Sequence, residues 1–363
     1  MGDRDAARID LVLPRARDYK RVGRQIEVAF ARPGLGGDEA IETILHTSAD
    51  LLGITGSCWH LTDPSSGLPI ASAMLGDPAG SFEESLIYEF RRPDLNRFDE
   101  LRTRRLPVAA ISVETAGELD ASARFREMIE PCGPADELRV AFVDAFGMWA
   151  ALAIFTDRRM TTADLKFVSD LVPHATVALR AAAAARALEV VCPLPDPGDH
   201  GGPSVVILDR EDRIVAADAD ARRRLSVVPD TRRVDVPGLI SFVAAQARWG
   251  ADGRSSTARM RGDDGRWLLV NASRLDSRDA GDVAVVIQPA RAGSVLDGAL
   301  RAIGLSARER EVTSLVLQGH SAKAIASELV ISPWTVQDHL KAIYEKTGVR
   351  NRSELVGLVP AGA

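Results

Sequence analysis

Four helix starts are written into the chain between residues 305 and 355, and they leave room there for little except short α-helices. Ser306-Ala307-Arg308-Glu309 has the form of a capping box. In such a box the hydroxyl takes up one orphan amide of the first turn, and the glutamate reaches back to another. Val312, Leu315 and Val316 give this first helix an apolar face, and Gly319 is a residue suited to ending it. Ser321 caps a second helix, with Ala322, Ile325, Ala326 and Leu329 turned inward. After Val330 and Ile331, Ser332 caps a third helix, with Pro333 at the favoured first position. Val336, Leu340, Ile343 and Tyr344 fall at i, i+4, i+7 and i+8, a core stripe, and Gly348 closes the helix. Asn351-Arg352-Ser353-Glu354 repeats the box with Asn as the cap and opens the last helix.

Two helices joined by a short turn, the second longer and amphipathic, make a helix-turn-helix. With Val336 and Leu340 inward, the third helix turns Trp334, Gln337, Asp338 and Lys341 outward. Gln hydrogen-bonds adenine bidentately, Asp accepts from cytosine, and Lys reaches guanine or phosphate. Asp338 either reads a base or pairs with Lys341 at i+3. Charge points the same way. From 300 to 363, eight Lys/Arg face six Asp/Glu, a surplus of +2, whereas the whole chain carries −6. A mildly basic end on an acidic body excludes a general nucleic-acid coat and directs attention to the end.

Residues 305–355, LSAREREVTSLVLQGHSAKAIASELVISPWTVQDHLKAIYEKTGVRNRSEL, strongly resemble the LuxR/FixJ-type helix-turn-helix domain, with landmarks that include Leu305, Glu309, Gly319, Ile325, Ser332, Val336, His339, Lys341, Gly348 and Val349. The resemblance implies a transcriptional regulator that binds double-stranded DNA with its third helix in the major groove. It matches Gln337, Asp338 and Lys341 to positions that face base edges, and Lys323, Thr335 and Arg352 to positions near phosphates. Lys323 and Arg352 can also be read as solvated charges. The pattern departs from the family at Ala322-Lys323-Ala324, where many members have Asn-Lys-Glu, and at Gln337, where many have Lys.

The 363 residues suggest two or three domains. Residues 1–191 read as mixed helix and strand. A helix covers Asp38 to Leu52, and strands cover Ser57–Leu61 and Ile70–Met74. A charged helix from Ser81 to Arg104 is broken near Pro93, a strand runs from Pro107 to Ser112, and a helix covers Ser122–Ile129. Two apolar strands hinge at Gly147, and a long helix from Thr161 to about Val190 carries Pro173, where a kink or break is expected. Residues 192–203 read as a Pro/Gly linker. Residues 204–292 show the order ββ-αα-βββ, an antiparallel sheet with helices on one face. Residues 293–304 read as a second linker before the DNA-binding domain, 305–363.

The first segment resembles a GAF domain through Asp136-Glu137-Leu138-Arg139-Val140 and Phe146-Gly147-Met148-Trp149-Ala150-Ala151-Leu152, as in sensors fused to this helix-turn-helix in actinobacterial regulators. The second resembles a degenerate PAS-like fold through the paired strands of 206–217. The expected architecture is therefore multidomain α+β: a GAF-like α/β sensor, a PAS-like α+β domain and an all-α four-helix end. Both front folds often enclose a small-molecule pocket, but the sequence leaves the cofactor unknown. Trp59 and Trp149 read as core or pocket wall, and His60 and His174 as hydrogen-bonded residues or haem ligands. Cys58, Cys132 and Cys192 are three scattered thiols with neither disulfide nor zinc spacing.

P-loop, G-x-S-x-G, H-E-x-x-H and nicotinamide fingerprints are missing, which argues against an enzyme. No apolar run reaches a membrane-spanning length, and the first ten residues lack the apolar core of a secretory leader. The expectation is a cytoplasmic, homodimeric regulator that answers to a small-molecule effector or protein partner. The competing readings are a protein-interaction regulator with weak DNA binding and a haem or flavin redox sensor.

Overall fold

A computed structural model describes residues 14–32, 34–76, 82–92, 94–188, 202–229, 236–250, 255–276, 281–290 and 292–357. The front unit is built from α1 (Ala16–Phe30), α2 (Gly37–Leu52), β1 (Ile54–Thr62), β2 (Pro69–Gly76), α3 (Phe82–Leu86), α4 (Phe98–Leu101), β3 (Val108–Ala110), α5 (Ile111–Glu114), β4 (Asp136–Asp144), β5 (Gly147–Thr156) and α6 (Thr162–Leu188). Its sheet is antiparallel in the order β2-β1-β5-β4-β3. The central strand is apolar at nearly every position because both of its faces are covered. Leu152 and Ile154 pack with α1, α2 and α6. Ala153 and Phe155, pointing the other way, join Tyr88, Ile111, Phe125 and Met128 from the short helical segments.

Those segments are less regular than a helical period predicts. The charged stretch after residue 81 forms α3, a π-helical turn over Ile87–Arg91, and α4, with Asn96 left-handed at φ 61° between them. Pro93, where the break was expected, lies outside the described residues. Ser122–Ile129, expected as an α-helix, holds a π turn over Phe125–Ile129. Both segments meet a chain of buried charges. Glu137 accepts from Arg124 Nη2 at 2.6 Å and Arg139 Nε at 2.9 Å, and Arg139 donates on to Glu89 at 2.8 Å. These ion pairs hold both irregular segments against β4. The strand expected to run to Ser112 stops at Ala110, because Asp136 captures both the amide and the hydroxyl of Ser112. Thr161 begins α6 by accepting from the Asp164 amide at 3.3 Å, and the helix passes through exposed Pro173 without a break.

The second sheet comprises β6 (Ser204–Leu208), β7 (Ile214–Ala217), β8 (Ser255–Arg261), β9 (Trp267–Arg274) and β10 (Val283–Pro289), antiparallel in the order β7-β6-β10-β9-β8. Between β7 and β8 come α7 (Ala219–Leu225) and α8 (Gly238–Trp249). Asp218 caps α7 through the amides of Asp220 and Ala221. α8 is buried on most of its circumference. Ile240, Val243 and Ala247 pack with the second sheet, while Phe242 and Ala245 meet Leu86 of the front unit. The linker expected at 192–203 is described only at Gly202 and Pro203.

Residues 293–304, expected as a linker, are instead most of helix α9 (Ala292–Ile303). Its amphipathic stripe decides this: Ala302 belongs to the front core, and Leu300 belongs to the core of the C-terminal helices. Those helices are α10 (Ala307–Leu317), α11 (Ala322–Glu328), α12 (Pro333–Thr347) and α13 (Arg352–Gly357). Among the described residues, no helix is long and apolar enough to cross a membrane.

Candidate nucleic-acid interface

Each of the four C-terminal helices begins where its cap signal stands. Ser306 Oγ accepts from the Glu309 amide, and Glu309 Oε2 accepts from the Ser306 amide at 2.7 Å, closing the box. Ser321 accepts from Ala324 at 3.2 Å, Ser332 from Thr335 at 3.0 Å, and Asn351 from Glu354 at 2.9 Å. The stripe residues Val312, Leu315, Val316, Ile325, Ala326, Val336, Leu340 and Ile343 are buried in one cluster, with Tyr344 packed on its side.

That core orients α12. With Val336, Leu340 and Ile343 inside, Gln337, Asp338 and Lys341 stand exposed together on the opposite side, beside Trp334, which is 81% exposed. The ion pair between Asp338 and Lys341 that an i+3 spacing permits is not formed among the described residues. Lys323 is exposed on α11, the preceding helix. Thr335 is half-buried, its hydroxyl 2.9 Å from that of Ser332, at the N-terminal end of α12 where amides favour an anion.

Arg352, expected near phosphate, is half-buried and also braces the unit from within. Its Nη2 donates to the carbonyls of Val316 at 3.0 Å and His320 at 2.6 Å, so it closes the C-terminal end of α10. Two further side chains brace the unit. Arg308 Nη2 donates to the Leu329 carbonyl at 2.6 Å and holds the turn between α11 and α12. Lys346 Nζ donates to Glu309 Oε2 at 2.7 Å and ties α12 to α10. Burial of Glu309 pushes its carboxyl up, but hydrogen bonds from Lys346 and Ser306 outweigh this and hold it below the ordinary carboxylate range.

The other candidates lie in the front units. His60 is buried with Nδ1 2.7 Å from Ser72 Oγ, and burial followed by the charge of Arg139 lowers its pKa to about 4. His174 is exposed on α6. Trp59 and Trp149 are both buried, and their indole N–H groups donate to Asp38 and Asp144. Cys58 is partly buried, its thiol pKa pushed up to about 11 chiefly by burial; Cys132 is exposed, and Cys192 lies outside the described residues.

A capped, four-helix unit that presents one polar helix face defines the class: a bacterial-type helix-turn-helix module. Residues 304–359 match the family model described as bacterial regulatory proteins, luxR family. Over 52 residues the chain is 50% identical to the probable transcriptional regulatory protein NarL of Mycobacterium tuberculosis, covering 14% of this chain and 24% of that protein. Over a similar span it is 48% identical to the spore germination protein GerE of Bacillus subtilis, covering 14% of this chain and 70% of that one. The chain belongs to the luxR family of bacterial regulatory proteins. It spans about a quarter of the length of its NarL relative. Among solved structures, Escherichia coli SdiA aligns over 94% of this chain and 96% of its own, at 11% identity and a TM-score of 0.30.

Proposed function

We propose that the chain is a sequence-specific DNA-binding transcriptional regulator that binds double-stranded DNA as a homodimer in the cytoplasm and performs no catalysis. The observation that carries this reading is the single polar face of α12, where Gln337, Asp338 and Lys341 stand exposed over a helix fixed from behind by Val336, Leu340 and Ile343. Such a helix fits a major groove, with Gln337, Asp338 and Lys341 at base edges and Lys323 and Thr335 near phosphate. Arg352 then serves as a positioning residue that holds α10 and α13 together. A dimer doubles the few base pairs one helix can read. The GAF-like and PAS-like front units bias DNA affinity through a small-molecule effector or protein partner that distinguishes two states.

The test is recovery of chromosomal DNA bound by the full chain, followed by salt-titrated binding to the enriched site. Affinity is expected to fall steeply with salt as phosphate contacts release counterions. No enriched sequence, or salt-insensitive binding, removes the reading.

A further inference from the structure

A cavity of about 440 Å³ lies where the front sheet, the second sheet and α9 meet. Two of its walls are α6 and α9, where small side chains leave the space unfilled: Ala178 and Ala182 on one side, Gly298 and Ala299 on the other. Trp149 reaches it from β5 and Trp267 from β9. The volume is that of a pocket for a small organic molecule.

The charged lining is one-sided. Arg32, Arg186, Arg259 and Arg261 border the cavity, with Asp63 the lone acid among its lining residues. Asp63 is matched already: its Oδ2 accepts from the Arg259 amide at 3.0 Å and from Arg259 Nη1 at 2.9 Å. Arg259 Nε, by contrast, is shut off from solvent and has no hydrogen-bond partner among the described residues. That nitrogen has no surface open to the cavity, so an incoming oxygen meets the part of the Arg259 guanidinium that stays accessible, about a fifth of the side chain. Arginine is also the side chain best shaped to hold a carboxylate.

We infer that this cleft binds an organic monocarboxylate with a flat apolar body of about two rings, the body lying between α6 and α9 near the two indoles and the carboxylate meeting Arg259. The inference deepens the sensing half of the function proposed above and rests on it for its regulatory meaning. Because α9 forms one wall and continues into α10, the occupant touches the element that joins the sheets to the DNA-facing helices.

The test is calorimetric titration of the full chain with biphenyl-4-carboxylate, without DNA, so that a failure of DNA binding leaves the result readable. One saturable site per chain is expected. Biphenyl-4-methanol, which lacks the charge, and benzoate, which lacks a ring, are each expected to bind at least about tenfold more weakly. A Cβ placed at Gly298 meets no atom within 4 Å, so Gly298→Leu starts into open space on the cavity wall. That variant is expected to lose at least about tenfold in affinity while keeping the parent's thermal unfolding profile. Ala182→Leu fills the same space from the opposite wall and carries the test should Gly298→Leu fail to fold. Absence of saturable binding, undiminished binding in the filled variants, or equal binding of the alcohol overturns the inference.

Discussion

Arg310 on α10 donates to Asp297 on α9 at 3.0 Å, across the joint between the sheet units and the helices that carry the polar face. The other oxygen of Asp297 accepts from Arg301 at 2.7 Å, and Arg301 also donates to the Phe146 carbonyl in the β4–β5 hairpin at 3.2 Å. One carboxylate therefore links the front unit to the C-terminal unit through two guanidinium groups. α9 has no independent core: Ala302 is claimed by one cluster and Leu300 by another.

The first prediction follows from that sharing. A fragment of residues 292–363 is expected to be more stable than one of 305–363 by about 2 kcal/mol, the worth of burying Leu300, which is 4% exposed. Urea denaturation followed by circular dichroism measures the difference. Equal midpoints with equal slopes would mean that α9 contributes nothing to the C-terminal core.

The second concerns the α12 face. Gln337→Ala and Lys341→Ala are expected to leave the melting temperature unchanged and to weaken DNA binding by about 1–3 kcal/mol each. Loss of a base contact relaxes preference at one position, whereas loss of a phosphate contact lowers the salt slope by about one. Val336→Ala, in the core, should instead cost about 2 kcal/mol of stability. Arg352→Met should also act on stability, by about 1–3 kcal/mol, since it frees the carbonyls of Val316 and His320. Its salt slope should match the parent's. Binding isotherms at several salt concentrations, paired with melts, separate the two groups; normal binding by both face variants would mean that another surface meets the DNA.

The helix caps were legible because a cap is a local signal: Ser306, Ser321, Ser332 and Asn351 each act within three residues. The strands were legible for a similar reason, since alternation or continuous apolarity marks how many faces are covered. α9 was missed because a start signal is weak in Ala290-Arg291-Ala292-Gly293, although its apolar stripe is present in the sequence. The place of Arg352 was beyond local reading because its partners lie 32 and 36 residues away. The cleft was invisible for the same reason on a larger scale: Asp63 and Arg259, which meet at its edge, are 196 residues apart.

The third prediction is a pH dependence set by His60. Burial, with Arg139 adding to it, lowers this imidazole to about 4 from an ordinary value of 6.5. Between those two values the unfolded chain takes up a proton that the folded protein excludes, so stability falls as pH falls through the window and is level above it. The full effect is about 3 kcal/mol. His60→Gln, which has no proton to gain, should flatten the urea midpoint between pH 6.5 and 4. An equally steep profile in the variant would assign the dependence to other groups.

The fourth concerns the turn between α11 and α12. Val330 sits there at φ 55° and is 89% exposed, so a β-branched side chain holds a left-handed conformation without burying itself in return. A left-handed non-glycine residue costs about 1–2 kcal/mol, and asparagine tolerates the region better because its short polar side chain bonds locally. Val330→Asn is therefore expected to stabilise the C-terminal helices by about 1 kcal/mol. Glycine should do less, because its freedom in the unfolded chain offsets part of the relief. Amide exchange of α11 and α12 in the full chain reads this directly, as slower exchange in the asparagine variant. Faster exchange would show that the exposed valine makes a contact worth more than the strain it carries.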